Sequence, residues 1–327
     1  MAIQPQPGEV SRLIRSSSLH RALAALGDRW SVLLIREAFL GIRQFEAFQS
    51  RLGIPRQTLT NRLRELVAHD VLYVQPYQTR PLRHAYRLTE KGLGLYPYAL
   101  LLWQWQRRWS GAHAQALPDR LVHRRCGQAT EPAFVCSHCR LPVSIRDVEW
   151  HERLGALADV PPLPRAKRQT VARRVEADAG LVEHGAFIVS DRWAHLIIVA
   201  VFLGVTTFDG FERELGISSN ILARRLRLLV DAQLLRKLPD PDDSRRFHYR
   251  LTERSRQLFP ISIVLLAWAD RWMPDPHGPP MRRTHRTCGQ PLVPAVACSG
   301  CGIDLAPREV GFEYARDAVP APAAGTD

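Results

Sequence analysis

The residues of this chain best suited to chemistry are its six cysteines, which fall in two clusters, each led by a histidine. His123, Cys126, Cys136 and Cys139 follow the spacing His-x2-Cys-Gly-x8-Cys-x2-Cys, and His285, Cys288, Cys298 and Cys301 repeat it. Each set offers three thiolates and an imidazole, the four ligands that close a tetrahedral zinc site. Within each segment the spacing lets two x2 knuckles face each other, with Gly127 and Gly289 free to adopt the positive φ that often follows a knuckle. His138 sits between Cys136 and Cys139, but its counterpart is Gly300, whereas His123 is matched by His285; the repeat selects His123. The alternatives are disulfides or free buried thiols. Three cysteines per segment cannot all pair internally, and an intracellular setting opposes stable disulfides. A segment of about 30 residues with little core needs the metal in order to fold, so the expectation is two zinc ions, structural rather than catalytic and favoured over iron.

A second set of residues suits nucleic acid. Between 55 and 69, Leu59, Leu63 and Leu66 recur at i, i+4 and i+7, while Gln57, Asn61 and Arg64 fall on the opposite face, and Arg56 and Thr60 of the same helix join them as candidate DNA contacts. Between 218 and 231 the pattern returns, with Leu222, Leu226 and Leu229 inside and Asn220, Arg224 and Arg227 outside. Long cationic and amide side chains without acids on the same face are the types that reach base edges and phosphates. Arg80 and Arg83 near one hairpin tip, and Arg245 and Arg246 near another, complete the set. A solvated charged face is the plain alternative for a single helix; recurrence of the same order of elements favours DNA.

These residues are positioned by a duplication. Asp28-Arg29-Trp30 returns as Asp191-Arg192-Trp193, and Tyr86-Arg87-Leu88-Thr89-Glu90 as Tyr249-Arg250-Leu251-Thr252-Glu253, both 163 residues later; the cysteines return at 162. So long a period means tandem domains rather than a solenoid. In the first copy the spacing predicts helices over 19–26, 30–39, 44–51 and 55–69, a hairpin of strands 71–75 and 84–88, and one closing helix over 91–109. The fold class is mainly α with small β wings: two winged helix-turn-helix domains, each with a small zinc-ribbon-like appendix. The domains are placed at 1–115 and 175–277, the appendices at 116–150 and 278–315, a Pro-rich linker at 151–174 and a disordered tail at 316–327. Trp and Tyr stripes on the closing helices read as core or dimer interface, with an effector pocket as the lesser alternative.

The chain of 327 residues carries a net charge of +13, which points to a polyanionic partner. Residues 1–115 hold 16 basic and 7 acidic side chains, residues 175–277 hold 13 and 14, so the first copy is the stronger electrostatic candidate. The apolar stretches at 95–103 and 196–205 are too short to span a bilayer, and residues 1–15 have no signal core; a soluble, cytoplasmic protein is expected. An enzyme is disfavoured, since there is no nucleophile–base arrangement, no phosphate-cradling glycine loop and no open metal position.

Ala22-Leu23-Ala24-Ala25-Leu26-Gly27-Asp28-Arg29-Trp30, then Leu33-Leu34-Ile35-Arg36-Glu37, Arg62-Leu63-Arg64-Glu65-Leu66 and Tyr86-Arg87-Leu88-Thr89-Glu90-Lys91-Gly92, resemble HxlR-type winged helix-turn-helix regulators, relatives of the MarR group. Residues 15–110 resemble them closely and 178–273 look like a diverged member. The resemblance implies a bacterial transcription factor, usually a repressor, that dimerises through terminal helices and binds double-stranded DNA. The redox cysteine that many members carry is replaced near Ser17 and Gly180, so thiol sensing there is not expected. Two copies in one chain allow either a homodimer or an internal pseudo-dimer. The alternative function is a protein-interaction scaffold or a nonspecific architectural DNA binder.

Overall fold

A computed structural model of the chain describes residues 8–26, 28–80, 82–109, 117–152, 191–274, 278–279 and 281–314. The expected helix stop at Gly27, most of the linker, Gly180 and the tail lie outside the described residues. The described chain is mainly helical with small antiparallel two- and three-stranded sheets. No described helix is long and apolar enough to cross a membrane.

The first copy comprises α1 (Glu9–Ser16), α2 (Ser18–Leu26), α3 (Arg29–Phe39), α4 (Phe45–Leu52), α5 (Arg56–Ala68), β1 (Leu72–Thr79), β2 (Leu82–Leu88), α6 (Glu90–Leu93) and α7 (Tyr96–Trp109). Asp28 caps α3, accepting from the Trp30 and Ser31 amides. Gly53, at φ 58°, ends α4 in the left-handed conformation that glycine adopts without steric cost. Leu59, Leu63 and Leu66 of α5 are fully buried, as their spacing requires. The two strands pair antiparallel from Leu72↔Leu88 to Thr79↔Leu82, with an irregularity between Pro76 and Gln78. The first strand is thus longer than its apolar pattern suggested: the two-stranded ladder carries it through Pro76, which the irregularity accommodates.

Two further features depart from the sequence expectation. The closing helix is not continuous, because Thr89 caps a short α6 through the Gly92 amide and a new helix starts at Tyr96, with Pro97 in its first turn. Gly92 is required there, since a Cβ would lie 2.2 Å from the Val71 carbonyl oxygen. The second is α1, which the sequence did not single out and which buries Val10, Leu13 and Ile14.

The first appendix follows with β3 (Arg120–His123), β4 (Gln128–Thr130), β5 (Pro132–Cys136) and β6 (Val148–Glu152). The second copy repeats the order in α8 (Arg192–Phe202), α9 (Phe208–Leu215), α10 (Ser219–Asp231), β7 (Leu235–Pro239), β8 (Phe247–Leu251), α11 (Glu253–Arg256) and α12 (Phe259–Trp272). Its appendix holds β9 (Met281–His285), β10 (Pro294–Cys298) and β11 (Val310–Glu313).

Two compact units emerge, and each draws on both copies. One comprises Met1–Ala24 with Ser144–Leu292. Within it α1 packs on α9 of the second copy, where the Glu214 carboxylate accepts the Gly8 and Ser11 amides at 2.8 and 2.9 Å. In this unit β6 pairs with β9. The other unit comprises Ala25–Val143 with Val293–Asp327, and in it β10 pairs with β5 and β11 with β3.

Candidate nucleic-acid interface and metal ligands

In the first copy α5 presents Arg56, Gln57, Asn61 and Arg64 to solvent, while Thr60 is half-buried. The Gln57 amide donates to Asn61 at 3.2 Å, Thr60 donates its hydroxyl to the Arg56 carbonyl, and the Arg56 guanidinium stacks 4.8 Å from the Phe45 ring centroid. Arg80 and Arg83 are exposed at the wing tip. The wing is tied to the helices where the Tyr86 amide donates to the Arg43 carbonyl at 2.7 Å. Tyr73 and Tyr77, which sequence reasoning passed over, are exposed along β1.

The register of α5 against α3 is set by an ion pair. Arg62 reaches Asp28, the α3 cap, at 2.8 Å and also holds Glu65, turning the acid toward Arg62 and off the Gln57-Asn61-Arg64 face. The second copy reproduces this with Arg225 and Asp191 at 2.6 Å, both largely buried, while Asp191 caps α8 through the Ala194 amide. Arg225 is therefore a structural residue rather than part of the basic outer face of α10. The signal was present in the sequence, since Asp28 and Arg62 recur together at an offset of 163.

On α10, Asn220 and Arg227 are exposed and Arg224 is half-buried. Arg227 borders a groove of about 510 Å³ between α10 and the second wing, which Lys237, Arg245 and Arg246 share with Asp209 and Asp231. Asp240 shapes that wing. It accepts the Asp242 and Asp243 amides and contacts His248 Nε2 at 2.8 Å, and these hydrogen bonds, the Asp242 amide foremost, hold its carboxyl below the usual aspartate range. Arg246 pairs with Asp243 at 3.5 Å.

No disulfide joins the described cysteines. Among the described residues two Cys/His groups could hold metal ions, and the ligands of the first come from both appendices: His123 and Cys126 with Cys298 and Cys301. This departs from the expected closure within one segment. The physical reason lies in the pairing of β3 with β11 and of β5 with β10, which carries the second Cys-x2-Cys knuckle to the first His-x2-Cys. Cys126 Sγ lies 3.8 Å from Cys298 Sγ and 3.4 Å from His123 Nδ1, and Cys301 Sγ lies 3.3 Å from His123 Nδ1. A tetrahedral ion with usual Zn–S and Zn–N bonds has edges of about 3.8 Å between sulfurs and about 3.5 Å between sulfur and nitrogen. The donor set therefore fits zinc. His123 is fully buried and turns Nε2 toward the Glu309 carboxylate at 3.8 Å, the side on which metal-bound histidines meet an orienting acid. Burial opposes ionisation of Cys298, but hydrogen bonds from Thr130 and from the Cys301 and Gly300 amides outweigh it and bring the thiol down to about 6. Gly127 and Gly289 adopt φ of 70° and 67°, the conformation their position after the knuckle calls for.

The helices, wings and their polar outer faces define a protein with two winged helix-turn-helix modules. The HxlR-like helix-turn-helix family matches residues 25–114 and 188–277, and the chain belongs to it. An uncharacterized HTH-type transcriptional regulator of Mycobacterium tuberculosis is 39% identical over 140 residues, which span 43% of this chain and 88% of that protein. Another, from Bacillus subtilis, is 30% identical over 92 residues, 28% of this chain and 85% of the relative. The family places the chain among transcriptional regulators rather than enzymes. Each match ends before the cysteines of its own copy, the first at 114 before Cys126 and the second at 277 before Cys288.

Proposed function

We propose that this chain is a sequence-specific, DNA-binding transcriptional regulator that acts as a repressor in the bacterial cytoplasm, associated with the nucleoid when bound. The observation that carries the reading is the outer face of α5, where Gln57, Asn61 and Arg64 are exposed beside a wing with arginines at its tip. In this reading α5 and α10 each enter a major groove, Gln57, Asn61 and Arg64 read bases, and Arg56, Arg80 and Arg83 contact phosphates. Asn220, Arg224, Arg227, Arg245 and Arg246 serve the second module in the same way. Repression follows from the family resemblance. Two zinc ions, structural in role, belong to the same reading.

The test is selection of bound sequences from random duplexes, with wild-type protein and with an Arg224→Ala, Arg227→Ala double variant. A defined motif that loses one half in the variant is the expected result. An intact motif confines reading to the first module, and no enriched motif overturns sequence-specific binding in favour of a scaffold or architectural role. Arg64→Ala should weaken binding to the selected site by about 1–3 kcal/mol if Arg64 makes a bidentate base contact. Unchanged affinity across salt concentrations would remove Arg64 from the interface.

A further inference from the structure

The first copy holds a cavity between α3, α7 and the strands β3 and β11, wholly within the unit of residues 25–143 and 293–327. Val32, Ile35 and Phe39 of α3, Trp103 of α7, Leu121 and Phe312 form its apolar wall. The second copy, within its own unit, has a cavity at the equivalent place, where Phe202, Phe259, Leu266 and Trp150 stand for Phe39, Tyr96, Trp103 and Phe312. Interiors close-pack, so a cavity that recurs at the same position in both copies is a property of the module rather than a local packing fault.

The two cavities differ in their polar groups. In the second, the hydroxyls on the wall, Ser17 and Ser262, donate to the Ile14 and Leu258 carbonyls at 2.9 and 3.1 Å. In the first, Tyr96 is 2% exposed, its ring centroid lies 5.1 Å from that of Phe39, and its buried hydroxyl has no hydrogen-bond partner among the described residues. Leaving such a group unpaired is costly, so the position calls for an acceptor. Arg36 on the same wall is held by Glu37 at 2.7 Å. Burial, against the nearby charge of Arg124, keeps the Tyr96 phenol protonated well above its ordinary range, so it is a donor at neutral pH. Tyr98 also borders the cavity, but two residues on it lies about 200° round the helix, which leaves Tyr96 as the anchor.

We infer that the cavity of the first copy receives a small neutral molecule with an acceptor oxygen, a short ketone or ester, whose carbonyl accepts the Tyr96 hydroxyl while its carbons meet the apolar wall. The space is about 40 Å³, well below the roughly 150 Å³ that admits benzene, which excludes ring compounds. Phe259 in place of Tyr96 denies the second copy this anchor. The wall of α3 leads to Asp28 at its start, the partner of Arg62 on α5, so an occupant that displaces α3 changes how α5 is presented. That regulatory consequence rests on the DNA-binding reading above; the binding itself does not.

The test uses the full chain with its tyrosines labelled at ¹³Cζ, the ring carbon bearing the hydroxyl, and butanone as the probe. Titration should move the Tyr96 resonance saturably, identified by its loss in Tyr96→Phe, and leave those of the exposed Tyr73 and Tyr77 in place. Butanone should bind Tyr96→Phe about two- to tenfold more weakly, the loss of one hydrogen bond. A Tyr96 resonance that does not respond, or equal affinity for the variant, overturns the site. Without butanone, Tyr96→Phe should melt no lower than wild type, since no bond within the protein is lost. A lower melting temperature would mean that the hydroxyl already has a partner, a fixed water included, and would overturn the site as well. At saturation butanone should change affinity for the selected duplex, and unchanged affinity refutes the coupling through α3. Saturable butanone binding by a protein that selects no duplex motif would overturn the DNA-binding reading and leave the site standing.

Discussion

Asp28 and Asp191 each perform two tasks with one carboxylate: they satisfy amides at a helix start and pair with an arginine of α5 or α10. Removing such a residue loses a cap and strands a partly desolvated guanidinium. Asp28→Ala should therefore lower stability by about 1–2 kcal/mol in urea denaturation, and Asp28→Asn, which keeps the cap, by less. Equal losses would mean that the cap contributes nothing, and an Asn variant as stable as wild type would mean that the ion pair with Arg62 contributes nothing. The repeated Asp-Arg-Trp motif, visible in the sequence, is explained by this geometry only in part: Arg29 and Arg192 stack on the neighbouring Trp30 and Trp193. The arginine that completes each pair lies 34 residues away, too far for local pattern to reveal.

At the scale of elements, α1 is held by Glu214 on α9. Burial raises the Glu214 pKa, but the amides of Gly8 and Ser11, with Arg213, outweigh it and leave the carboxyl below its ordinary value near 4.5. A depressed folded pKa means that the unfolded state binds protons first as pH falls, so the stabilisation is complete above the ordinary glutamate range and disappears as pH drops through the folded value. Glu214→Gln should thus be less stable than wild type at neutral pH, and thermal melts should show the gap closing below about pH 4.5. A gap that is constant with pH would show that the Glu214 charge does not hold α1. Local period revealed α3, α4, α5 and their equivalents because one buried face imposes it. It missed α1, whose apolar residues are too few to stand out, and it merged α6 with α7, where the Thr89 cap and the close approach at Gly92 break the helix.

For the whole molecule, the two outer faces differ, with Gln57, Asn61 and Arg64 on one and Asn220, Arg224 and Arg227 on the other. If the two copies act as an internal pseudo-dimer, the selected operator should be asymmetric, and sedimentation should find one chain per site. Recovery of a perfect palindrome with two chains bound would count against internal pairing.

From the sequence by itself came the duplication, the helical faces and the candidate metal ligands, because periodicity, spacing and side-chain chemistry are local properties. Only the tertiary structure decided that His123 and Cys126 meet Cys298 and Cys301 rather than Cys136 and Cys139. Two appendices with the same spacing satisfy zinc equally well within a copy or across copies, and the choice rests on backbone pairing between strands more than 160 residues apart, for which a linear pattern carries no signal.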